Sequence, residues 1–98
     1  MYWLAPVAAQ FKALAADTAN EGRFKQVVKA LKYLNANPRH LSLNTRPYDD
    51  PAIVGPAGEK VFEAYAQNQT PGAYRIFWCY GPLRSQITII AITEHPND

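Results

Sequence analysis

The feature that most limits what this chain can fold into is a change of period near its middle. From Glu21 to about Asn35, Phe24, Val27, Val28, Leu31 and Leu34 recur at helical spacing, while Arg23, Lys25, Lys29 and Lys32 lie mostly off that stripe. Beyond Leu41 the apolar residues alternate or run together in β-branched and aromatic stretches of strand length. Helices first and strands afterwards mark the α+β class, because strands that follow one another in sequence pair directly rather than through helical crossovers.

The elements follow from local chemistry. Residues 1–4, with two aromatics, read as an edge strand. Pro6 suits the first turn of a helix, where its missing N–H costs nothing. The alanine-rich stretch Val7 to Ala16 presents Val7, Phe11 and Leu14 on one face. Asp17-Thr18-Ala19-Asn20 breaks that helix, and Asn20 is a candidate cap for the next. Glu21 at its start and lysines towards its end suit the helix dipole, and Asn37-Pro38 ends it. Leu41, Leu43 and Thr45 alternate with Ser42, Asn44 and Arg46, which predicts a short strand beginning at Leu41. After a Pro- and Gly-rich loop come three more strand-like runs: Lys60 to Gln67, Ala73 to Tyr80 and Gln86 to Thr93. Connectors of hairpin length join them. The last two runs are apolar on both faces and are expected at the sheet centre. The predicted architecture is a single domain, residues 1–98, with a short N-terminal strand and a helical hairpin packed on an antiparallel sheet of about four strands.

Composition narrows the function classes. With 48% apolar and 18% charged residues in 98, the chain is expected to fold around one core. Nothing approaches the roughly 18 consecutive apolar residues of a membrane span, and the N-terminus lacks the pattern of a signal peptide. Cys79 is the single cysteine, so no internal disulfide is available and a reducing, cytoplasmic setting is expected. A net charge of +2 permits a nucleic-acid partner without demanding one. There is no phosphate-binding glycine loop, nucleophile elbow or zinc-ligand spacing, and His40 and His95 lie far apart. No metal or cofactor is expected.

The remaining chemistry rests on a few residues. Arg75 sits inside an otherwise apolar strand, where it must reach solvent, a carboxylate such as Glu63, or a ligand phosphate. His95, just after the last strand, is placed to exchange protons near neutral pH, or is a surface residue of a fraying tail. Arg46 and Lys60 are candidates for a positive rim, and Arg39-His40 could contribute to it, although solvated charge is the better reading of Arg39. The aromatics Tyr74, Phe77, Trp78 and Tyr80 suit either base stacking or a core. Cys79 reads as a buried apolar residue.

Four features together resemble the RelE/ParE toxin superfamily of bacterial toxin–antitoxin systems. They are the order of elements; Leu31-x-x-Leu34 leading into Asn37-Pro38-Arg39-His40-x-Ser42-Leu43; Val61-Phe62-Glu63-Ala64 followed by Tyr74-Arg75-Ile76-Phe77-Trp78; and Ile87 to Thr93 followed by His95. The resemblance spans nearly the whole chain. It implies a type II toxin that cleaves mRNA without a metal, at the ribosome or free, with the 2′-hydroxyl attacking the adjacent phosphate and the 5′-oxygen leaving. It implies Arg75 as the catalytic cation on the phosphate and His95 as the catalytic acid or base, with Arg46 and Lys60 as looser RNA-binding candidates. The implied partners are a cognate antitoxin, mRNA and the ribosome, and a homodimer is compatible with it; no membrane is involved. The sequence departs from the family's pattern where Thr93-Glu94 replaces a glycine. It also ends at Asp98, where many members continue with basic and aromatic residues. Glu94 would oppose phosphate binding if it pointed into the site. The alternative that the resemblance leaves open is a ParE-like or inactive relative acting by protein binding, on DNA gyrase or an antitoxin.

Overall fold

A computed structural model of the chain describes residues 1–67 and 72–94. The chain enters as strand β1 (Tyr2–Trp3) and turns into helix α1 (Ala5–Ala16), with Pro6 in its first turn. Asp17 ends α1 and opens a one-turn 3₁₀ segment, Thr18–Asn20. Its Oδ1 accepts the Ala19 N–H at 3.0 Å and its Oδ2 accepts from Asn20 Nδ2 at 2.7 Å. Asn20 therefore precedes helix α2 (Glu21–Ala36) without capping it through its side chain. Of the predicted stripe of α2, Val27, Leu31 and Leu34 are buried, with Ala30 beside them, while Phe24 and Val28 are half-buried at its margins.

The predicted strand at Leu41 is not one. Leu41–Leu43 forms a 3₁₀ turn capped by His40, whose Nδ1 accepts the Ser42 N–H at 3.1 Å. Asn44 closes the turn at φ 46°, a left-handed conformation that asparagine tolerates better than most residues. The strand starts two residues later, as β2 (Arg46–Tyr48). Then follow β3 (Val61–Tyr65), β4 (Tyr74–Tyr80) and β5 (Ile87–Glu94).

The fold is α+β: two helices on one mixed five-stranded sheet of order β1-β5-β4-β3-β2. β2 to β5 are antiparallel, as expected, and β1 adds to β5 in parallel, Tyr2 opposite Thr88 and Trp3 opposite Ile89. β4 is central and β5 lies beside it. Between them Trp78 pairs with Ile89 but Phe77 with Ala91, so Ile90 is the extra residue of a bulge.

The two faces of the sheet are covered differently. Ala64, Ile76, Trp78, Ile87, Ile89 and Ile92 point to the helices and meet Val7, Leu14, Val27, Leu31 and Leu34. The opposite face carries a smaller cluster of Tyr48, Val61 and Phe77, against which Ile53 of the β2–β3 loop packs. No helix among the described residues is long and apolar enough to cross a membrane.

Candidate functional site

The face turned away from the helices collects Arg46, Glu63 and Arg75 of the charged residues that the sequence singles out. Side chains alternate along a strand, so register decides which of them meet. Arg46 pairs with Glu63, Tyr65 with Arg75, and Arg75 with Thr93. All five belong to the face of Phe77.

Tyr65 is the centre of this strip. The Arg75 guanidinium lies 3.8 Å from its ring centroid and that of Arg46 5.3 Å, both within cation–π range. Arg75 is buried, with 7% of its surface exposed. Its Nη1 donates to the Gln67 carbonyl at 2.7 Å and to the Tyr74 carbonyl at 3.3 Å, which holds the guanidinium over the ring. Glu63, the carboxylate expected to answer Arg75, is one register step away opposite Phe77. It sets Oε1 3.9 Å from Arg46 Nε. Glu63 is buried while the Arg46 side chain is 61% exposed, so Arg46 presents its charge to solvent at the sheet edge.

The other candidates fall elsewhere. Lys60 is carried to the helix side: its Nζ lies 5.8 Å from the Phe62 ring, which stacks on Trp78. Arg46 and Lys60 thus do not share a rim. Glu94 stands opposite Tyr74, out of phase with Thr93 and Arg75, and so does not face the strip. His95 lies outside the described residues. Arg23, which lies mostly off the apolar stripe of α2, ties that helix to the sheet, with Nε donating to Gln67 Oε1 at 2.9 Å and its guanidinium 4.5 Å from the Tyr74 ring centroid. Among the described residues no cluster of His, Cys, Asp and Glu is gathered as a metal site would need.

Two buried groups have shifted acidities. Burial pushes the Tyr48 hydroxyl above its ordinary value, and the Asp50 and Glu63 carboxylates push the same way. Burial also raises the Cys79 thiol, with Glu59 adding to it. A raised thiol is protonated and a poor nucleophile, which agrees with a packing role for Cys79.

A concavity of about 500 Å³ opens on the helix side of the sheet. Phe62, Trp78 and Tyr80 form one wall and the segment at 38–45 the other. The sequence offered Trp78 and Tyr80 as aromatics of one strand and Arg39-His40 as a basic pair. Only β3–β4 pairing and the 3₁₀ turn bring the two sets face to face. No protein-family model, curated protein or solved structure matches the chain.

Proposed function

We propose that this chain is a RelE/ParE-like toxin domain that acts as a metal-independent endoribonuclease on mRNA in the cytoplasm, under the control of a cognate antitoxin. The observation that carries the reading is the pair of guanidinium groups, Arg46 and Arg75, on the same sheet face and both over the Tyr65 ring. The element order, a short strand, two helices and an antiparallel run of strands, is the one the resemblance implies.

Cleavage through the 2′-oxygen needs little beyond positioning and charge. The 2′-oxygen bonds to phosphorus, the bond to the 5′-oxygen breaks, and negative charge builds on the non-bridging oxygens. Preorganised cations aimed at that charge supply the largest share of the rate. Arg46, exposed at the edge strand, draws the phosphate in. Arg75, held by the Gln67 carbonyl and Tyr65, fixes a positive potential behind it. In this reading His95 moves the proton, by its place in the resemblance, and the ribosome presents the mRNA.

One observation favours a second reading. Arg75 is almost wholly buried and engaged with carbonyls and a ring, as a structural arginine would be. A ParE-like or inactive relative that works by binding a protein would need nothing more from it.

The test is mapping of mRNA 5′ ends after induction in a bacterial host, with purified protein and an oligoribonucleotide in EDTA as the separate check for metal-independent action on free RNA. Wild type is expected to leave 2′,3′-cyclic phosphate ends and to arrest growth. Arg46→Ala is expected to lower the rate tenfold or more, and Arg75→Ala or His95→Ala about a hundredfold, with the fold intact by circular dichroism. Growth arrest by wild type without any RNA cleavage replaces the nuclease reading with the protein-binding one.

A further inference from the structure

We propose that the cleft between the 38–45 segment and the wall of Phe62, Trp78 and Tyr80 is a nucleotide-binding site, built for an unstacked base with its phosphate. This does not rest on the nuclease reading, since the cleft lies on the other face of the sheet from Arg75.

The wall is a stacking platform. Phe62 and Trp78 stack at 5.0 Å and 26°, and Tyr80 meets both edge-on, at 5.7 and 4.9 Å. These rings are rigid because Trp78 is fully buried, yet Tyr80 at the strand end is 46% exposed. Leu41 stands 91% exposed on the opposite lip, an apolar side chain with no packing role in the isolated chain. Aromatic platforms of this kind hold single bases by their π-faces.

Among the described residues the polar side chains of the lining are Arg39, His40, Asn44 and Thr45, with the Tyr80 hydroxyl, and Arg39 carries the charge. Behind the wall the Trp78 Nε1–H is buried and has no hydrogen-bond partner among the described residues, so it takes no part in the open lining of the cleft. The Arg39 side chain lines the cleft and is solvent-exposed, and Lys60 hangs over Phe62 at its edge. His40 is held against Tyr33, rings stacked at 4.1 Å and 9°. Its Nδ1 accepts the Ser42 N–H, so in the neutral ring the hydrogen sits on Nε2 as a further donor. Among the described residues no carboxylate lines the cleft. A planar ligand rich in acceptors and carrying negative charge satisfies this combination, and about 500 Å³ lies within the range of small-ligand sites.

The base and phosphate could come from a free mononucleotide or from an unpaired residue of an RNA strand, and the experiment separates them. In a Trp3→Phe background Trp78 is the remaining tryptophan. Its fluorescence is titrated with the four ribonucleoside 5′-monophosphates, with a 2′-O-methyl octaribonucleotide that cannot be cleaved through its 2′-oxygen, and with inorganic phosphate. Saturable quenching by a mononucleotide is expected, at least tenfold weaker in Arg39→Ala and in Tyr80→Ala and unchanged in Arg46→Ala. Quenching by the octamer alone supports the site and assigns its source to an RNA strand. No saturable quenching by mononucleotides or octamer, equal quenching by inorganic phosphate, or equal affinity in Arg39→Ala would overturn the proposal. Arg39 is exposed, so its variant keeps the test valid even if Tyr80→Ala unfolds.

Discussion

Burial at Tyr48 has a consequence that can be measured directly. Its hydroxyl ionises above the ordinary phenol value of 10.0, because the folded chain removes it from water and sets the Asp50 and Glu63 carboxylates near it. Between the unfolded value and the higher folded one, the native state keeps a proton that the unfolded chain has lost. The stability associated with Tyr48 is therefore complete below about pH 10 and is lost as pH rises beyond it. Cys79 acts with the same sign from its ordinary value of 9.0 upwards. The urea midpoint of the wild type should fall between pH 8 and about pH 11, and Tyr48→Phe should shrink that fall; an identical fall in the variant would remove Tyr48 from the account. Single residues differ in how legible they were. Arg75 stands out in the sequence because an arginine within an apolar strand needs a partner. Its partners, the Gln67 carbonyl and the Tyr65 ring, depend on a register that no local pattern encodes. Arg46 and Lys60 both read as rim cations, and the sheet separates them onto opposite faces.

At the scale of elements, legibility followed the length of the pattern. α2 offers four turns of consistent apolar spacing, and Val27, Leu31 and Leu34 of the predicted stripe are buried, with Phe24 and Val28 half-buried at its margins. Leu34 is fully buried in the main cluster. Leu34→Ala should therefore cost about 2–5 kcal/mol, the range for deleting a well-packed leucine, read as a lower urea midpoint with an unchanged m-value. A cost under about 1 kcal/mol would mean that α2 is not seated on the sheet as described. The segment at Leu41 failed for a physical reason. Six residues suffice to mimic alternation, and here a 3₁₀ turn places Leu43 inside and Leu41 outside, so the apparent period of two is coincidental. The deciding signals were weak ones: a histidine that accepts the Ser42 N–H and an asparagine able to take a left-handed conformation. The cleft against the aromatic wall went unseen for the same reason, since its outer lip is that turn.

For the molecule as a whole, the sheet joins two unequal apolar layers, one under the helices and one under the β2–β3 loop. Trp78 belongs to the first and its neighbour Cys79 points to the other side. Cooperative unfolding should make Trp78 fluorescence, in a Trp3→Phe background, and Cys79 thiol reactivity change at one urea midpoint. Thiol exposure at a lower concentration would show the loop-side layer opening first. β5 ties the architecture together: it borders the central strand, carries β1 on its outer edge, and underlies α1. The first strand thus waits for the last. Leu4 N–H bonds to the Ile89 carbonyl at 3.2 Å, and Trp3 then closes on Phe11. During synthesis the helical hairpin leaves the ribosome long before the strand that seats it, with its leucine stripe still bare. The N-terminal edge cannot close until residue 87 and its successors are made, and any interruption before them leaves the central strand paired on the β3 side alone.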